Sequence, residues 1–186
     1  MFSDLETDNG QFNDTSEIFW ASGACFFIRS EVFHQLNGFD EDFFAHQEEI
    51  DLCWRAKNSG HTIKYVGAST VYHVGGATLD TLNPRKTFLN FRNSLLNLVK
   101  NLPSTKLFPI IFSRLILDGL ASLKFLLEGK PNHLFAILKA HFSFYMHLPK
   151  FIKKRNESPK KSNYYEHKSI VWQYYAKGRK KITELR

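Results

Sequence analysis

Cysteine is scarce in this chain, and its scarcity excludes a whole class of architecture. The 186 residues hold only Cys25 and Cys53, which offer neither a disulfide framework nor the spacing of a thiolate metal cage. Both lie among apolar neighbours, as core-filling thiols do. No basic start followed by an apolar core opens the sequence, so a signal peptide is not expected and a reducing, cytosolic setting is the default. Long apolar runs are missing as well. The most apolar stretches are broken by Arg114, Asp118, Lys124 or Lys139, well before the ~20 residues that a bilayer crossing takes.

Charge of one sign is scarce at each end. Residues 1 to 60 carry 12 acids and 3 bases, whereas residues 100 to 186 carry 5 acids and 18 bases, within a total of +7. An acidic head suits chemistry with carboxylates, and a basic tail suits an anionic surface, either phospholipid or nucleic acid. Nucleic acid is the poorer fit. The pairs Tyr164-Tyr165 and Tyr174-Tyr175 sit among lysines but lack a recognisable sheet or helix-turn-helix context, and the head repels phosphate. No nucleic-acid partner is therefore expected. With 43% hydrophobic residues, the chain can bury one core.

Residues 1 to 17 are polar and unpatterned and read as a loop or ragged edge. The apolar runs 18–20 and 24–28, joined by Ser22-Gly23, read as a buried turn and a strand. Ser30 reads as the N-cap of a short helix over 31–37 that Gly38 stops. An acidic loop with aromatic anchors, Phe39 to Phe44, precedes a helix over about 47–59. Ile63, Tyr65 and Val66, then Val71 and Tyr72, read as strand pieces around Gly67-Ala68, with His73 at the end. Strands alternating with helices predict an α/β fold over 18–83.

At Asn83-Pro84 the character changes to an amphipathic helical extension, 84–149, with helices over 85–101, 108–127 and 132–148, followed by a basic tail, 150–186. Phe112, Leu115, Ile116, Leu120, Leu123 and Leu127 share one face of the second helix, opposite Lys106, Ser113 and Lys124. With Lys150, Lys153, Lys154, Arg155, Lys160 and Lys161 following, the extension fits a location on an anionic membrane surface. A soluble helical hairpin packed on the head, with a solvated tail, is the competing reading.

The chemistry-bearing cluster is Glu48-Glu49-Ile50-Asp51, then Arg55. Acids in the first turn of a helix also complement its dipole and need no further role. The order of features around them is more specific: Trp20-Ala21-Ser22-Gly23-Ala24, Gly38-Phe39-Asp40-Glu41, Phe43-Phe44, the acidic helix start, Arg55, Gly60, Tyr72-His73 and Phe91-Arg92-Asn93. That order, over residues 17 to 101, resembles the acceptor half of inverting family 2 glycosyltransferases of the GT-A fold, rhamnosyltransferases among them. The resemblance implies the carboxyl-terminal part of a Rossmann-like domain at the cytoplasmic face of the cell membrane. It implies transfer of a sugar from a nucleotide-sugar donor to a glycan or lipid-linked acceptor.

Carried over residue by residue, the resemblance makes Glu49 the general base toward the acceptor hydroxyl, with Glu48 raising its proton affinity. The family usually has aspartate where Glu49 stands. His73 matches a ligand of a divalent metal, Mn2+ or Mg2+, although a histidine capping a strand end reads the same way. Trp20, Gly23, Asp51 and Arg55 match acceptor-pocket positions. Trp20 could equally be a buried core residue, and Arg55 could simply pair with Asp51 one turn away. Asp40-Glu41-Asp42 imitates the Asp-x-Asp metal signature of these enzymes. It follows a glycine stop rather than a hydrophobic strand, and it is rejected. No strand-helix-strand nucleotide unit precedes Trp20, so the chain reads as an acceptor half that needs a separate nucleotide-binding half and is inactive alone. A noncatalytic module that binds glycan or a membrane surface is the alternative.

Overall fold

The computed structural model describes residues 7–72, 83–156, 160–161 and 169–185, and most of these are helical. Two three-residue strands, β1 (Thr15–Glu17) and β2 (Lys64–Val66), pair antiparallel with Ser16 opposite Tyr65. Between them run α1 (Ser30–Gln35) and α2 (Glu48–Asn58). After them come α3 (Pro84–Asn101), α4 (Ser104–Leu127), α5 (Pro131–Asn156) and the short α6 (Ile170–Tyr175).

This architecture overturns the expected α/β, Rossmann-like GT-A fold. Among the described residues the sheet is a two-stranded ribbon, and the apolar pieces at 18–20, 24–28 and 71–72 form no strand. A parallel sheet needs strand neighbours and helices over both faces. Here Phe19 instead sets its ring edge-on to Trp54 of α2 at 5.4 Å, and Phe26 meets Phe39 at 6.1 Å. Those apolar side chains pack on a helix and a loop. The polar edge expected to be loop supplies β1, and Gly67 passes so close to it that a Cβ would lie 2.1 Å from the Phe12 carbonyl oxygen. Cys53 is buried as expected, whereas Cys25 is exposed. Arg29, not Ser30, occupies the N-cap of α1, without a side-chain capping bond.

The helices start and stop where local chemistry directs. Asn83 accepts a hydrogen bond from the Arg85 amide at 2.9 Å with Pro84 in the first position, a combination that favours initiation. Pro103 separates α3 from α4, and Gly129, with φ of 70°, ends the turn after α4 just before Pro131. Helices α3 and α5 then bury Leu95, Leu96, Val99, Phe144 and Phe151 against one another. Phe43, from the acidic loop, completes this core with its ring 5.6 Å from Phe151.

An ionic seam fastens the head to the tail. Lys100 of α3 donates to Asp40 at 2.7 Å and to Asp51 at 2.9 Å. From α5, Lys154 reaches Asp40 at 2.5 Å and Asp42 at 2.6 Å, and Lys150 reaches Asp42 at 2.7 Å. Arg155 donates to the Val99 carbonyl at 2.8 Å and to the Ser104 hydroxyl at 2.9 Å. Two of the six bases expected to face an anionic surface, Lys150 and Lys154, thus neutralise the protein's own acidic loop. Burial by itself would raise the pKa of Asp40, but hydrogen bonds from Lys100 and Lys154 outweigh it and hold the carboxyl at about 2.

Two predictions follow from the seam. Lys100→Met leaves Asp40 and Asp51 short of a partner and lowers unfolding free energy by about 3 kcal/mol in urea denaturation, whereas Lys153→Met at the exposed surface changes it by less than about 0.5 kcal/mol. Folding depresses the Asp40 pKa, so its contribution, about 2 kcal/mol, is complete above pH ~4 and is lost as pH falls toward 2. Denaturation followed across that range should show a steep acid limb that flattens in Asp40→Asn.

Candidate active-site cleft

The segment leading into α2 is bent against the ordinary preference of its residues. Phe44, His46 and Gln47 have φ of 63°, 67° and 77°, a left-handed conformation that costs a non-glycine residue on the order of 1 kcal/mol. Side chains of α3 hold it there. The amide nitrogen of Asn93 lies 2.9, 2.9 and 2.7 Å from the carbonyl oxygens of Phe43, Ala45 and His46. Arg92 donates to the Asp42 and Phe43 carbonyls at 3.2 Å each, and its Nε orients Asn93 through a 2.8 Å bond to Oδ1. Asn97 adds a 3.4 Å contact to the Gln47 carbonyl. Clamped this way, the loop delivers the chain into α2 with Glu48 and Glu49 at its amino terminus.

Beside that terminus lies a cleft of about 530 Å³ lined by Gly23, three phenyl rings (Phe26, Phe39, Phe44) and four acids (Asp40, Glu41, Glu48, Glu49). Gly23 runs alongside Glu49, and a Cβ there would meet the Glu49 side chain at 3.8 Å, an ordinary contact. Asp40 already has its lysines. By contrast, the Oε2 atoms of Glu48 and Glu49, and Nε2 of His46, are buried and make no hydrogen bond among the described residues. Burial, with the neighbouring charge of Glu48, raises the Glu49 pKa despite backbone amides that lower it. Burial and the charge of Lys86 lower the His46 pKa, so the imidazole is neutral near pH 7.

An acidic cleft walled by phenyl rings suits a neutral polyhydroxylated ligand. Carboxylates accept hydrogen bonds from hydroxyl groups, and aromatic faces take the apolar side of a sugar ring. The same carboxylates repel a phosphate.

Of the residues singled out from the sequence, Gly23, Glu48 and Glu49 converge on this cleft. Trp20 is half-exposed and does not line it. Asp51 and Arg55 are buried on another side of α2. Arg55 donates to Asp51 at 2.8 Å, to the Gly38 carbonyl at 2.8 Å and to the Leu36 carbonyl, while Asn101 donates to Asp51 at 2.9 Å. Their pairing, one of the two readings open from the sequence, ties α1 and α3 to α2. His73 lies outside the described residues. Among the described residues no group of three His, Cys, Asp or Glu side chains could hold a metal ion, and His73, the expected ligand, is not one of them. The Asp40-Glu41-Asp42 triplet, rejected as a metal signature, has Asp40 and Asp42 bound to lysines.

Sequence reading missed the clamp. Asn93 was noted only as part of Phe91-Arg92-Asn93, and neither His46 nor Lys100 was singled out. An asparagine at a helix position facing the core is the available signal, because a buried amide needs partners. Asn93→Ala should cost about 2 kcal/mol of stability and, in hydrogen exchange, speed the amides of residues 44 to 49 more than those of α5.

No family model matches the chain, and no solved structure matches it. Relatives do match over a 54-residue stretch, 29% of this chain. An N-acetylglucosaminyl-diphospho-decaprenol L-rhamnosyltransferase of Mycobacterium tuberculosis is 39% identical there, the stretch covering 18% of that protein. The rhamnosyltransferase WbbL of Escherichia coli strain K12 is 37% identical, with 20% of its length covered. The matched stretch spans about a fifth of the length of these relatives, and it relates the chain to glycosyltransferases at that coarse level.

Proposed function

We propose that this chain carries the acceptor side of an inverting sugar transfer of the family 2 type, with Glu49 as the general base. The observation that carries the reading is the buried Oε2 of Glu49, beside that of Glu48, with no hydrogen-bond partner among the described residues, at a cleft of phenyl rings and carboxylates. A buried carboxylate oxygen without a partner costs stability. An acceptor hydroxyl would satisfy it.

In the proposed reaction, a glycan or lipid-linked acceptor lies against Phe26, Phe39 and Phe44 and donates a hydrogen bond from the attacking hydroxyl to Glu49. The hydroxyl oxygen forms a bond to the anomeric carbon of the nucleotide sugar as its proton passes to Glu49. The bond from that carbon to the diphosphate breaks on the opposite face, and the diphosphate leaves with the bonding electrons. Burial and the charge of Glu48 favour a proton on Glu49, which brings the base nearer to working pH. The negative cleft suits the acceptor rather than the nucleotide. The donor would therefore be held by a separate nucleotide-binding portion.

The test joins the chain to the nucleotide-binding portion of a rhamnosyltransferase and follows transfer to a synthetic lipid-linked acceptor. Glu49→Gln should lower kcat about a thousandfold with little change in acceptor affinity. Glu49 is a base only when ionised, so the rate climbs with pH through its raised pKa. Glu48→Gln removes a neighbouring negative charge and should move that acid limb to lower pH. Undiminished turnover in Glu49→Gln would remove Glu49 as the base.

A further inference from the structure

Helix α4 turns only part of its apolar surface inward, with Leu107, Ile111 and Leu115 packed against the core. Its Asp118 and Ser122 are buried, and Asp118 pairs with Arg114 at 2.6 Å and His141 of α5 at 3.1 Å. Six other large apolar residues face outward: Phe108, Phe112, Ile116, Leu120, Leu123 and Leu127 are all more than half exposed, up to 89% at Leu127. A helix on the surface of a water-soluble domain turns the opposite stripe to its core. Helix α5 repeats the pattern with Phe135, Leu138, Phe142 and Met146, each exposed, while its other face packs on α3. So large an exposed apolar surface marks an interaction site.

The charges beside it select the occupant. Residues 104 to 156 contain nine lysines and arginines and only two acids. Lys124, Lys130 and Lys153 stand exposed on the hairpin, with Lys124 and Lys130 sharing the single carboxylate of Glu128 at 3.7 and 2.9 Å. Across α4 lies α6, which leaves an apolar hollow of about 490 Å³ between Ile116, Leu117 and Trp172 and exposes the rings of Trp172 and Tyr175. Tryptophan and tyrosine beside lysines favour the level of lipid headgroups. No described helix is long and apolar enough to cross a membrane, so such a face would lie in the plane of the interface. A second copy would set two positively charged rims against each other.

We propose that the α4–α5 hairpin, with α6, docks on an anionic lipid leaflet. The outward phenylalanine and leucine side chains enter the acyl boundary, and Lys124, Lys130 and Lys153 rest among the headgroups. The test is flotation of the full chain with vesicles of phosphatidylcholine, with or without phosphatidylglycerol. Binding to the anionic vesicles is expected, with a blue shift of tryptophan emission that Trp172→Phe reduces. Phe112→Glu, Leu120→Glu and Phe142→Glu combined should weaken binding at least about tenfold with unchanged far-UV circular dichroism. Lys124→Glu with Lys130→Glu, which leaves the apolar face whole, should lower binding to anionic vesicles alone. The proposal is overturned if the chain does not float, or if the triple variant floats as well as the parent. It is equally overturned if the chain fails to float but forms a dimer that the glutamate substitutions dissolve.

Discussion

The bonds of Lys100 to Asp40 and Asp51 set the geometry on which the rest depends. Three nearly buried charges meet there, and withdrawing such groups from water costs several kcal/mol apiece unless each finds partners. Arg55 and Asn101 complete the set around Asp51, and Lys154 completes it around Asp40. Parts of the chain far apart in sequence thus have few arrangements that satisfy every charge: α2 against α3, the acidic loop between α3 and α5. Apolar packing could tolerate a small slide of α2 along α3. Bonds of 2.7 and 2.9 Å from one ammonium to two carboxylates tolerate far less.

The cleft follows from that constraint. Because Asp40 is pinned from one side, Phe43 drops into the α3–α5 core and Phe44, one residue on, turns outward to the cleft. The clamp from Arg92 and Asn93 then forces three non-glycine residues into left-handed backbone, and α2 begins immediately after them. Glu49 and Asp51, two positions apart on the helix, consequently point to different sides. One is saturated with cations and the other is left with an unsatisfied oxygen. The same short acidic sequence therefore does two jobs, one holding the fold and one presenting reactive carboxylates, and burial against partners decides which acid does which.

Part of this was legible in the sequence and part could not be. The starts of α2 and α3 were readable because their signals are local: acids in a first turn, and Asn83 capping before Pro84. The Asp51–Arg55 pair was readable for the same reason, being one helical turn apart. The strand reading at 18–20, 24–28 and 71–72 failed because a short apolar run does not say what will cover it: Phe19 packs on Trp54 of α2 and Phe26 on Phe39, while Phe27, Val71 and Tyr72 stay exposed. The clamp was illegible because Asn93 meets its carbonyls across nearly fifty residues of chain, and no local pattern reports such a contact. Glu49 and Gly23 were reached through the order of motifs rather than through any periodicity. His73 adds nothing either way, since it lies outside the described residues.

The amphipathicity of α4 was also visible, but a period of 3.6 residues defines two faces without saying which one turns inward. Polar groups decide it here. Asp118 can be buried only with partners, and Arg114 on its own helix and His141 on α5 supply them, so α4 turns that stripe inward together with Leu107, Ile111 and Leu115 and leaves a second apolar stripe outside. The basic residues divide along the same line. Lys100, Lys150 and Lys154 are drawn to the acids of the head, while Lys124, Lys130 and Lys153 remain on the exposed hairpin. The charge asymmetry of the sequence is thus two features superposed, an internal attraction that fastens the head to the helices and an external excess beside an apolar face.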